Sequence, residues 1–120
     1  MARAYIEIGG VVVRDPLVKT TSTGKPMLMF SVRVDLGKGQ YATTTYYSVK
    51  AFGELATTYT GRVAKGDFIE AAGTLELTKY TDRDGKPQSG LSVFASAIRD
   101  QSDQRAARRE SAQRGGESES

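Results

Sequence analysis

The stretch TTTYYSVKAFGELA, residues 43–56, alternates two kinds of side chain. In an extended strand successive side chains point to opposite faces. Tyr46, Ser48, Lys50 and Phe52 therefore share one side, and Tyr47, Val49 and Ala51 the other. The second set is apolar enough for a closed interior. The first combines two rings with an ammonium and a hydroxyl, and a core rarely takes an unpaired lysine. Two readings fit such a face. It is a half-solvated strand with two exposed rings, or a platform on which rings stack against bases while the cation meets phosphate. The segment alone leaves both open.

The missing residue types narrow the chemistry. The chain has no cysteine and no histidine. Thiolate nucleophiles, disulfides and thiolate metal sites are excluded, and so is the commonest general base and metal ligand. No Gly-x-x-x-x-Gly-Lys-Ser/Thr phosphate loop occurs, and GGVVVRD (9–15) has the β-branched content of a strand. A non-catalytic protein without metal or cofactor is expected. Residues 1–99 hold 13 of the 17 Lys and Arg but only 9 of the 14 Asp and Glu, so the excess positive charge belongs to the folded part. No apolar run approaches the roughly 20 residues of a membrane span. MARAYIEIGG lacks a signal-peptide core, so a cytoplasmic location away from membranes is expected.

The elements that must position these residues follow from pattern. YIEIGGVVVRD (5–15) reads as a long strand bent at Gly9-Gly10 and stopped at Asp15-Pro16. LVKTTSTGKP (17–26) reads as a loop turning at Thr23-Gly24. MLMFSVRVD (27–35) alternates, with Leu28, Phe30, Val32 and Val34 inward and Met27, Met29, Ser31 and Arg33 outward. LGKGQ (36–40) connects to the third strand, 41–52. GELATTYTGRV (53–63) places Leu55, Ala56, Tyr59 and Val63 on one face of a short helix. FIEAAGTLELTKYTD (68–82) and PQSGLSVFASAIR (87–99) are two further strands joined by the turn DRDGK. In the last, Leu91, Val93, Ala95 and Ala97 are set against Ser92, Phe94, Ser96 and Ile98. From Asp100 onward there is no Val, Ile, Leu or aromatic, so a disordered polar tail, 100–120, is expected beyond a single domain, 1–99. Within that tail DQRAARRESAQR (103–114), rich in helix formers, allows transient helix. Five long strands and one short helix between strands three and four describe an all-β OB-fold barrel.

The residues IEIGGVVVRDP, RDPLVKTTSTGKPMLMFSVRV and YYSVKAFGELATTYTGRVAKGDFIEAAGTLELTKYTDRDGKP resemble the bacterial single-stranded DNA-binding protein family. The resemblance covers residues 5–99 and rests on the order of its parts. These are Gly10 to Pro16, the turn at Thr23-Gly24, the joint Phe52 to Ala56, the Lys65-Gly66 step, and Gly73 to Asp82 followed by Gly85. It implies sequence-tolerant binding and protection of single-stranded DNA in replication, recombination and repair. It also implies a homotetramer, or a dimer, in the cytoplasm at the nucleoid. By alignment the family's stacking aromatics fall on Tyr46, Phe52 and Tyr80, with Tyr41 as a further candidate in a shortened loop. Lys50, Arg33, Lys79 and Lys25 are the candidate phosphate contacts, and each has an ordinary surface cation as its alternative. The arginines at 105, 108, 109 and 114 could add loose contacts. The chain departs from the family in having no tryptophan, in Glu76, and in ending RGGESES rather than in an acidic tip with an apolar end. Partner docking through such a tip is not expected, and the ending fits either a chain cut short of the tip or a phage, plasmid or secondary paralogue without it. The competing functions are an OB-fold protein-interaction module of a replication or conjugation complex and an RNA-binding barrel.

Overall fold

The computed structural model describes residues 3–106, 108 and 109. Its elements in chain order are β1 (Ala4–Val12), β2 (Leu17–Thr20), β3 (Pro26–Leu36), a 3₁₀ turn (Gly39–Tyr41), β4 (Thr43–Phe52), α1 (Glu54–Tyr59), β5 (Phe68–Thr81) and β6 (Pro87–Arg99). The strands run β1-β5-β6-β4-β3-β2 across one sheet, and a further β1–β3 pairing closes the ring. The β4–β6 ladder is parallel and the others are antiparallel. This is the OB-fold barrel that the sequence predicts.

Closure depends on β1 serving two neighbours. Ala4 to Val11 pair with β5, while Val11 and Val12 pair with Arg33 and Val32 of β3. A Cβ at Gly10 would overlap the Arg33 carbonyl oxygen, so only glycine lets the two backbones approach this closely. The inward residues of β3 are all buried: Leu28, Phe30, Val32 and Val34. They meet Val12, Val49, Ala51, Ile69 and Val93 in one core. Burying each such aliphatic side chain contributes about 1.5–3 kcal/mol. Helix α1 closes one end with Ala56 and Tyr59 buried and Leu55 packed against the cluster.

Four details differ from the sequence reading. The segment 17–26 is a hairpin arm rather than a loop: Leu17 to Thr20 pair with Met29 to Pro26, adding a sixth strand. Strand β1 ends at Val12, although Val13 N still donates to the Ser31 carbonyl. On β6 the alternation breaks. Ala72 pairs with Ala97 but Gly73 with Ala95, so Ser96 is an extra residue in a bulge. Beyond it the faces exchange, and Ile98 is buried while Ala97 is exposed. A bulge of this kind inverts the side-chain phase downstream.

The fourth difference is the start of the tail. Residues 101–106, 108 and 109 are helical, where a disordered segment was expected. Asp100 and Asp103 cap this segment reciprocally: Asp103 N donates to Asp100 Oδ1 and Asp100 N to Asp103 Oδ2, both at 2.9 Å. Each carboxylate satisfies an amide that the first turn leaves without a partner. Both are also held by Arg62, at 2.7 Å to Asp100 and 3.4 Å to Asp103. The segment is therefore ordered by polar contacts with the barrel rather than by apolar burial of its own. Residues 110–120, with Arg114, lie outside the described residues.

Candidate nucleic-acid interface

Residues paired directly across strands point to the same side of a sheet. The register therefore gives the composition of the outer face. One row crosses all six strands: Tyr5, Thr74, Phe94, Lys50, Met29 and Leu17 are successive partners. Phe52, Met27 and Lys19 stand one step along. On the other side of that row, Glu76, Ser92, Ser48 and Ser31 are partners. Tyr46 and Arg33 pair beyond these. Tyr46, Lys50, Phe52 and Arg33 thus share one continuous surface, as the alternation in TTTYYSVKAFGELA implies.

The rings are held, not merely exposed. Phe52 and Phe94 stack with centroids 6.2 Å apart and planes 7° from parallel. Lys50 Nζ lies 5.5 Å from the Phe94 centroid, within cation–π range. Tyr46 is 59% exposed and Tyr80 54%, leaving ring faces open to a base. Tyr80 lies beside Gly90 across the β5–β6 hairpin, where a Cβ would stand 3.5 Å from Tyr80 Cε1. The three serines put a low floor between Lys50 and Tyr46. Part of that floor is a hollow of about 150 Å³ whose lining includes Arg14, Met29, Ser31 and Ser48.

The tip of the β5–β6 hairpin is fixed by Asp82, which accepts from Asp84 N, Lys86 N and Gln88 Nε2, each at 2.9 Å. The Lys86 amide foremost, and then Gln88, hold the Asp82 carboxyl below the usual carboxylate range. Thr78 and Ser92 hydroxyls meet at 2.9 Å across the same arm. These bonds give the strand carrying Tyr80 a defined position.

The cations are distributed less evenly. Lys25 ends the β2–β3 turn with its Cε 3.3 Å from where a Cβ on Gly53 would stand, so its stem runs beside the residue after Phe52. Arg33 is ion-paired with Asp35 at 3.5 Å. At that exposure the pair contributes little, roughly 0–1 kcal/mol, and the guanidinium remains available. Lys79 is not brought to this face. It pairs with Ser89 and alternates with Tyr80, so it points to the other side of the hairpin with Leu77. Tyr41, 77% exposed, stands apart in the 3₁₀ turn before β4.

Four contributors escape a strand-by-strand reading: Phe94, Arg14, Tyr5 and Lys19. Phe94 alternates with Val93 and Ala95 along its strand, but nothing local ties it to Phe52. Their meeting needs the parallel β4–β6 ladder, whose partners lie more than 40 positions apart. Arg14 and Lys19 flank the turn at Asp15-Pro16 and join the face because β1 and β2 share an edge of β3.

Residues 4–100 match the model of the single-strand binding protein family. Among curated proteins, a single-stranded DNA-binding protein of Thermotoga maritima is 26% identical over 95 residues, covering 75% of this chain and 67% of that protein. The crystal structure of a small single-stranded DNA-binding protein from Streptomyces coelicolor is similar with a TM-score of 0.74 at 26% identity, covering 83% of this chain and 95% of that one. The second single-stranded DNA-binding protein of Mycobacterium smegmatis shares the fold, with a TM-score of 0.63 at 20% identity over 83% of this chain and 90% of that one.

Proposed function

The chain belongs to the single-strand binding protein family, and from that premise we propose that it binds single-stranded DNA without sequence preference and without catalysis. The observation that carries this is the single outer surface bearing Tyr46, Phe52 and the Phe94–Lys50 pair. Every base has a π-face, so ring stacking tolerates any sequence and contributes about 1–3 kcal/mol per base. Lys50, Arg33, Lys25, Lys19 and Arg14 supply positive charge along the path of the phosphates. Tyr80 extends the surface along the β5–β6 hairpin.

The reading includes protection of exposed strands during replication, recombination and repair, in the cytoplasm at the nucleoid. In support, no helix among the described residues is long and apolar enough to cross a membrane. It also includes a homotetramer, or a dimer, as the binding unit. The exposed Val18 and Leu77, on the opposite side of their strands from the row through Lys50, are apolar surface that further copies of the chain would cover. Titration with poly(dT) and with duplex DNA, alongside mass by light scattering, tests both parts. Preferential binding of poly(dT) by a species of four or two chains is the expected result.

A further inference from the structure

The described residues hold a basic hollow that the stacking surface leaves unused. It has a volume of about 430 Å³ and is lined by Phe68, Gln101, Gln104, Arg105 and Arg108. Positions 101, 104, 105 and 108 are spaced as one face of a helix, so the segment after β6 turns that face to the hollow. The face is anchored. Gln104 Nε2 donates to the Phe68 carbonyl at 3.1 Å and lies 3.4 Å from that of Arg99. Arg62 holds the Asp100 and Asp103 caps at the segment's start. Phe68 is 41% exposed, and its ring lies over Gly9, where a Cβ would stand 3.1 Å from Phe68 Cζ. Glu70, the acid nearest along β5, is opposite Arg99 in the register.

The hollow is joined to the first surface. Tyr46 pairs with Arg33, Arg33 with Val11, and Val11 with Phe68. These four residues form a row around the outside of the closed barrel, about 14 Å long at the usual interstrand spacing. The row starts at an exposed ring, passes a guanidinium and a small apolar side chain, and ends at a second exposed ring beside two more guanidiniums.

We propose that this hollow is a second nucleotide subsite, where a base of the bound single strand lies against Phe68 and its phosphates meet Arg105 and Arg108. The inference rests on the DNA-binding reading above. A ring face, guanidinium forks and the exposed Gln101 amide are together the chemistry that takes a base and a phosphate without regard to sequence. Its volume falls within the ≈ 300–1,000 Å³ typical of small-ligand sites. The strand runs from Tyr46 past Arg33 and over Val11 into it.

The test compares two oligothymidines on the full chain, of about 5 and about 16 nucleotides, spanning the range reported for one barrel. In R105A/R108A, the longer strand loses affinity and its log–log salt slope becomes shallower by about 1.4, for two phosphates at about 0.7 each. Over a tenfold range of salt that is about 25-fold in affinity. The shorter strand, which fills the Tyr46–Phe52 surface, binds as before. R105K/R108K restores most of the slope, which distinguishes charge from helix content, and F68A weakens the longer strand alone. An unchanged slope and affinity for the longer strand in R105A/R108A, while Tyr46→Ala still weakens both, overturns the subsite and leaves the main surface standing. Failure of the unsubstituted chain to bind either strand removes the DNA reading and the subsite with it.

Discussion

Phe52 and Phe94 lie stacked at 6.2 Å although one ends β4 and the other is mid-β6. The parallel ladder sets Lys50 opposite Phe94, which puts Phe52 one step further along the same face. The pair offers a broader, stiffer apolar surface than either ring alone, in a chain that has no tryptophan to supply one.

The first prediction concerns that pair. Phe94→Ala weakens single-strand binding by about 1–3 kcal/mol, and Phe52→Ala by a similar amount. A double-mutant cycle on DNA affinity gives a coupling of at least about 0.5 kcal/mol, the lower end for aromatic pairs. Strict additivity would mean that the rings act separately.

The second separates the two faces of β4. Tyr46→Ala and Tyr80→Ala each cost about 1–3 kcal/mol in DNA affinity and leave the urea midpoint within error of the parent. Val49, fully buried, behaves in the opposite way. Val49→Ala lowers unfolding stability by about 1–3 kcal/mol through lost burial and a cavity and leaves the affinity of the folded fraction unchanged. Melting of both tyrosine variants with intact residual affinity would reverse the assignment of faces.

The third uses the bulge. A Cβ at Gly73 would overlap the Phe94 carbonyl oxygen, and backbone cannot yield as the end of a flexible side chain can. Gly73→Ala therefore displaces Phe94 as well as straining the barrel. Both the thermal midpoint and DNA affinity fall, whereas Val49→Ala changes the midpoint alone. Equal affinity in Gly73→Ala and the parent would disconnect the bulge from the surface.

The fourth concerns pH at the base of the C-terminal helical segment. Tyr59 Oη lies 2.6 Å from the Ile98 carbonyl oxygen and 2.7 Å from Asp103 Oδ2, and its one proton is shared between them. Burial, and then the bond to Asp103, push the Tyr59 hydroxyl up to about 12. Its contribution to stability is complete below the unfolded value of about 10 and is lost as pH rises from there through about 12. Asp103 is held below its ordinary range, foremost by the Tyr59 hydroxyl. Its contribution is present above the unfolded value of about 3.9 and is lost as pH falls through the lowered one. Absorbance titration will show a tyrosine ionising near pH 12. Asp103→Ala brings that titration down and reduces the acid-side loss of thermal stability by the share Asp103 contributes, leaving that of Asp82. A late tyrosine that is unmoved in Asp103→Ala would refute the contact.

Much of this was legible in the sequence where local pattern decides. Strict alternation in β3 gave Leu28, Phe30, Val32 and Val34 to the core, and in β4 it put Tyr46, Lys50 and Phe52 together. What escaped depended on partners far along the chain. Leu17–Thr20 is exposed at every position, so no burial pattern marked it as a strand; its order comes from the edge of β3. Ile98 changed face because one inserted residue, Ser96, shifted the phase. Lys79 left the outer face by the same alternation that kept Tyr80 on it. The helical segment after β6 has no large apolar residue to announce it. Its signal was the spacing Asp100-x-x-Asp103, a capping pattern, but the arginine that holds it lies at position 62.

The central claim is that bases stack on the outer rings of β4 and β6 while cations follow the phosphates. The most direct measurement is tyrosine emission during titration with poly(dT) and with duplex DNA over a series of salt concentrations. With six tyrosines and no tryptophan the emission comes from tyrosine alone, and comparison with Tyr46→Ala and Tyr80→Ala assigns the change on binding to the outer surface. The account predicts quenching by poly(dT), weaker binding of duplex at every salt concentration, and log affinity falling linearly with log salt by about 0.7 per contacted phosphate. Equal affinity for duplex and single strand at moderate salt, with emission unchanged, would contradict it.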